Sequence, residues 1–67
     1  MIEIVVNGES RQMAEGRSLL DLLRELDLDP GRVAIELNRS IVKKTGWAGT
    51  VLDAGARIEI VQFVGGG

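Results

Sequence analysis

An α+β fold, one helix laid across one face of a mixed sheet of four or five strands, is predicted by three features of this 67-residue sequence. Apolar and polar residues alternate in "IEIVV", "RVAIELN" and "RIEIVQFV", and a period of two marks a strand buried on one face. A single stripe at helical spacing, Leu19, Leu22, Leu23 and Leu26, lies between the first two of these segments and predicts one amphipathic helix. Asn7-Gly8 supplies a hairpin signal, since a type I′ turn needs positive φ at both central residues.

Taken in order, the first strand places Ile2, Ile4 and Val6 on one side and Glu3, Val5 and Asn7 on the other. After the Asn7-Gly8 turn, "ESRQMA" is the polar return strand expected at a sheet edge, with Glu9, Arg11 and Met13 on one face. Ser18 is a suitable helix N-cap, and Asp21 three residues on completes a variant of the capping box. Pro30 within "DLDPG" lacks an N–H and is expected to end the helix. Val33, Ile35 and Leu37 form the inward side of the next strand, and Ile41 and Val42 a further short one. Gly46, Gly49 and Gly55 punctuate a long connection in which Trp47 is expected to be a lid over one end of the core. In the last strand, Ile58, Ile60 and Val64 point one way and Glu59, Val61 and Phe63 the other. The first and last strands are the most apolar and are expected to be central neighbours. One domain over residues 1–64 and a glycine tail over 65–67 is the resulting organisation.

Composition removes several function classes. Cysteine and histidine are both absent, so disulfides, thiol nucleophiles, the usual zinc ligand sets and imidazole catalysis are not available to this chain. With 45% apolar residues, the fold has to be held by its core. Eight Lys and Arg against ten Asp and Glu give a net charge of −2, which disfavours binding to a phosphate backbone. No apolar run approaches the roughly 18 residues of a membrane span, and the start of the chain has no signal-peptide pattern. A soluble, cytoplasmic monomer that binds no nucleic acid, membrane, metal or cofactor of its own is expected. The carboxylates fall on solvent faces or in turns, and the hydroxyls have no base to activate them, so a free-standing enzyme is not expected.

Two features call for a function. Val5, Val61 and Phe63 would share the sheet face opposite the helix, and if their strands are neighbours they form an apolar patch suited to a partner. The alternative is that the loop around Trp47 folds over them. The second feature is Gly65-Gly66-Gly67, directly after an apolar strand. An untethered chain end is one explanation. A tail without Cβ atoms, however, has a thin cross-section, and three residues reach about 10 Å when extended. Such a tail can thread a partner's active site and present a terminal carboxylate there. That carboxylate is ionised at neutral pH and a poor electrophile until a partner converts it to an acyl derivative such as an adenylate.

The segments "IEIVVNGE", "SLLDLLREL", "VAIELNRSIVKKTGW" and "RIEIVQFVGGG" together resemble the sulfur carrier family of thiamine biosynthesis, small proteins of the ubiquitin-like β-grasp fold. The resemblance covers nearly the whole chain. It implies that Gly67 is the modified residue, with Gly66 completing the family's diglycine and Gly65 extending the tail. It further implies an E1-like adenylyltransferase using ATP with Mg, a sulfur donor such as a cysteine desulfurase, and a thiazole synthase that receives the sulfur. "DAGAR" lacks the acidic residue common in that turn, and "KKTGW" departs from the usual stretch before the tryptophan; neither touches the tail. The rivals are the small subunit of molybdopterin synthase, which also ends in diglycine, and non-catalytic β-grasp modules that bind protein or RNA.

Overall fold

The computed structural model describes residues 1–64. Its hairpin forms where the turn chemistry demands it. Asn7 and Gly8 both have positive φ, 49° and 82°, joining β1 (Ile2–Val6) to β2 (Glu9–Met13) in antiparallel register. β3 (Val33–Leu37) and β4 (Ser40–Val42) are joined in the same way by Asn38 and Arg39, at φ 49° and 72°. β5 (Arg57–Gln62) runs parallel to β1 and antiparallel to β3. The sheet order is β2-β1-β5-β3-β4, so the first and last strands are neighbours at its centre.

Helix α1 (Leu19–Glu25) crosses one face. Leu19, Leu22 and Leu23 are fully buried against Ile4, Met13, Ile35 and Ile58, which is the apolar stripe meeting the inward side of the strands. The capping box is complete: the backbone N–H of Asp21 donates to the Ser18 hydroxyl at 3.2 Å, and the N–H of Ser18 donates to the Asp21 carboxylate at 2.9 Å. Its two preceding free N–H groups are met from the long connection, Leu19 donating to the Thr50 carbonyl and Leu20 to that of Trp47. The helix stops before Pro30 can act on it. Asp27 adopts positive φ, 57°, and donates to the Arg24 carbonyl while Leu28 donates to that of Leu23, the Schellman closure usually made with glycine. Pro30 instead opens a 3-10 turn, Pro30–Arg32, capped by Asp29.

The capping bonds have a pH consequence. The Ser18 backbone N–H, then its hydroxyl, hold the Asp21 carboxyl below its ordinary value of 3.8; desolvation opposes this, and Arg17 and Arg24 add attraction. A lowered folded-state pKa stabilises the fold above the unfolded value and the contribution is lost as pH falls through the folded one. Asp21→Asn is therefore expected to lower Tm at neutral pH, with the deficit shrinking as pH drops below 3.8. A deficit that stays constant across that range would refute the assignment.

Trp47 is buried, 2% exposed, and its indole N–H donates to the Val42 carbonyl at 2.8 Å. It closes one end of the core on the helix side, as a lid. The loop around it therefore does not cover the opposite face of the sheet, where Val61 and Phe63 remain exposed.

Candidate functional site

β5 carries the site, because the chain passes from it toward the glycines. Gly65, Gly66 and Gly67 lie outside the described residues. What the structure defines is how the strand before them is held and what surrounds it.

β5 outruns β1. Val5 pairs with Arg57 and Val6 with Ile58, and there β1 turns away into the hairpin. The ladder is nonetheless continued by a side chain. The Asn7 carboxamide accepts from the Ile60 N–H at 2.7 Å and donates to the Ile60 carbonyl at 3.2 Å, taking both positions a further strand residue would fill. On the other side β3 pairs with β5 up to Val33 opposite Gln62, and the Phe63 N–H donates to the Arg32 carbonyl at 2.7 Å. At the opposite end, Asn38 grips the start of β5: its N–H donates to the Arg57 carbonyl and its Oδ1 accepts from the Arg57 N–H. Two asparagines, each in a hairpin turn, thus fix β5. From the sequence Asn7 reads only as a turn residue and Asn38 carries no role; the signal that links them is an asparagine at the turn of both hairpins.

Asn7→Gly keeps the turn conformation and removes both Ile60 contacts, and is expected to cost about 1–3 kcal/mol. Asn7→Ala adds the strain of a left-handed residue and should cost about 1–2 kcal/mol more. Urea unfolding measures both; equal stability of wild type and the glycine variant would show that the clamp contributes nothing.

On the outer face, Val5, Val61 and Phe63 share the side of the sheet away from the helix, but they do not form one patch. Val5 is half-buried and stands beside Arg57. Val61 lies four residues further along β5, about 13 Å at strand rise, with Glu59 between. The immediate neighbours of Val61 are on the other side: Ala34 lies directly opposite, and Ile41 and Glu36 share its shallow hollow. Ile41, 78% exposed against 60% for Val61 and 56% for Phe63, is the apolar residue of this face that the sequence reading did not single out. Among the described residues no group of three or more His, Cys, Asp or Glu is placed to hold a metal, and no helix is long and apolar enough to cross a membrane.

A mixed five-stranded sheet of this order, with one helix on one face and a central last strand leading out of the domain, defines a small β-grasp domain. Residues 4–67 match the model of the ThiS family. The sulfur carrier protein ThiS of Escherichia coli is 30% identical over 66 residues, spanning 98% of this chain and 100% of that protein. A thiamine biosynthesis protein (ThiS) from Geobacter metallireducens superposes with a TM-score of 0.84 at 28% identity, covering 98% of this chain and all of that one. A thiazole synthase of Paramagnetospirillum magneticum is 39% identical over 66 residues, and there the chain spans only 20% of the relative's length. The chain belongs to the ThiS family.

Proposed function

We propose that this chain is the sulfur carrier of a thiazole-forming pathway and that Gly67 bears the reactive group. One observation carries the reading. The family match runs through Gly67, and the alignment spans the whole of the Escherichia coli sulfur carrier rather than a part of it. The architecture supports it, because β5 is fixed from both flanks and delivers the chain outward beside an exposed apolar surface.

The chemistry follows from what a carboxylate can do. The Gly67 carboxylate attacks the α-phosphorus of ATP within an E1-like partner, pyrophosphate leaves, and an acyl-adenylate results. Sulfur at the sulfide level, drawn from a cysteine-derived donor, then displaces AMP to leave a thiocarboxylate. That group is the nucleophile passed to a thiazole synthase. The relatives named thiazole synthase that contain this domain within a longer chain support the last step, since covalent attachment keeps a domain near its partner. The protein is a co-substrate in this scheme, and ATP with its Mg is bound by the partner. Val61 and Phe63 face the partner beside the tail; Val5, set apart by its register, is placed at the margin.

Incubation with ATP, the adenylating enzyme and a sulfur donor, followed by intact-mass measurement, tests the reading. The expected result is a gain equal to the replacement of one oxygen by sulfur, located at Gly67 by fragmentation. An unchanged mass, or sulfur elsewhere in the chain, would reject it.

A further inference from the structure

The outermost strands of the sheet, β2 and β4, each have one unpaired side, and such an edge is a template for further pairing. β4 offers three residues and β2 five. On β1, the Val5 and Asn7 N–H groups donate to Ala56 and Ile58, and the Glu3 carbonyl accepts from Gly55. These three residues therefore turn their backbone toward β5. Ile2, Ile4 and Val6 turn theirs toward Met13, Arg11 and Glu9, because antiparallel ladders alternate in this way. The N–H and C=O groups of Ser10 and Gln12 are left pointing out of the sheet.

The side chains of this edge carry its specificity. Glu9 stands opposite Val6 and Arg11 opposite Ile4, so both lie on the helix side, where they line one hollow with Leu26. The Arg11 Nε–H is buried and has no acceptor. Among the described residues, Arg11 has no carboxylate within ion-pair distance either. A guanidinium partly withdrawn from water and left unpaired is costly, and a carboxylate brought to the same face from outside lowers that cost.

We propose that the β2 edge pairs with the β2 edge of a second copy of this chain, antiparallel and centred on Ser10, to form a ten-stranded sheet. A two-fold axis perpendicular to the sheet keeps both helices on one side, as an isologous contact requires. The two Ser10 residues then exchange N–H and C=O as a hydrogen-bonded pair. Glu9 of each copy falls opposite Arg11 of the other, in the non-hydrogen-bonded positions where side chains stand closest. Centring the contact on Glu9 or on Arg11 sets like charges against each other, and centring it on Gln12 sets Arg11 against Met13. Charges on an edge ordinarily block pairing; here they block the neighbouring registers and favour one. In that dimer the two β5 strands lie five strand spacings, about 24 Å, apart. The contact leaves β5 and the outer face uncovered, so the inference is independent of the carrier reading.

Sedimentation velocity of the full chain between about 10 μM and about 1 mM tests it. The expected result is a reversible monomer–dimer equilibrium that weakens with added salt. Amide exchange reports the register: the Ser10 and Gln12 N–H groups should gain protection as the dimer forms. Glu9→Arg and Arg11→Glu should each raise the dimer Kd about tenfold, since each sets two like-charged pairs across the edge. An equimolar mixture of these two variants should recover wild-type association, because the mixed dimer again opposes unlike charges. Ser10→Pro removes the central donor without touching a bond to β1 and should abolish association; circular dichroism checks that each variant is folded. Should Arg11→Glu not fold, Glu9→Arg and Ser10→Pro decide the matter. A wild-type chain that stays monomeric throughout the range overturns the proposal. So does a dimer whose Kd is unchanged in Glu9→Arg and Ser10→Pro, a mixture of folded variants that fails to associate, or association without protection at Ser10, which would place the contact on another surface. Sulfur uptake at Gly67 is expected to be the same in every one of these variants, and its absence from the wild-type chain bears on the carrier reading alone.

Discussion

A chain lacking Gly66 and Gly67 is expected to fold as the full chain does and to take up no sulfur. The first half of that expectation is structural. The core cluster of fully and partly buried residues extends no further along the chain than Ile60, β5 ends at Gln62, and the last ladder-like contact is that of Phe63 with Arg32. Truncation after Gly65 removes none of these, so the unfolding midpoint should stay within the roughly 0.5 kcal/mol scatter of surface changes. The second half is chemical. The carboxylate exposed by truncation is that of Gly65, two residues short, and a displacement of even about 1 Å can cost about 100-fold in rate. A subtler variant separates reach from shape. Gly66→Val keeps the length of the chain and adds a branched side chain, so adenylation should fall by on the order of 100-fold while affinity for the partner changes little. Measured by AMP release, full activity of either variant would show that the diglycine is not the functional end.

The same strand shows what the sequence makes legible and what it does not. Alternation reveals which residues share a face: Ile4 and Ile58 inward, Val5, Val61 and Phe63 outward. It does not reveal register, which parallel strands far apart in sequence settle only by packing. Val5 therefore stands beside Arg57 and not beside Val61, and the exposed hollow lies toward β4, around an isoleucine whose short strand has too few residues to show a pattern. The asparagines illustrate a different limit. Asn-Gly predicts its turn locally, but a carboxamide completing the ladder of a strand 53 residues away leaves no local trace. The helix start was legible because Ser18 and Asp21 are capping residues at capping spacing. Its end is not legible at Asp27, which is not the glycine that a left-handed closure normally takes, so Pro30 is the nearer signal in the letters. For the site, "VGGG" and its resemblance were legible in letters alone, while its placement falls on residues outside those described.

Loss of the Trp47 side chain is the change expected to damage the fold most. Replacing a buried tryptophan by alanine typically costs about 3–5 kcal/mol, whereas a 67-residue domain at roughly 0.05–0.15 kcal/mol per residue has about 3–10 kcal/mol in total. Trp47 also joins two parts of the structure. Its indole N–H holds the Val42 carbonyl at the end of β4, and its own carbonyl accepts from Leu20 in the first turn of α1. Trp47→Ala should thus remove a third or more of the stability of the domain, about 3–5 kcal/mol. Trp47→Phe tests the two contributions apart: it keeps most of the ring in the core and leaves the Val42 carbonyl without its donor, at a cost of about 1–3 kcal/mol. Because Trp47 is the sole tryptophan, unfolding has to be followed by far-UV circular dichroism and not by fluorescence. If Trp47→Ala unfolds within 1 kcal/mol of wild type, the indole is not the closure of the core. Stability of Trp47→Phe equal to wild type would show that the ring, and not the hydrogen bond, joins β4 to the helix.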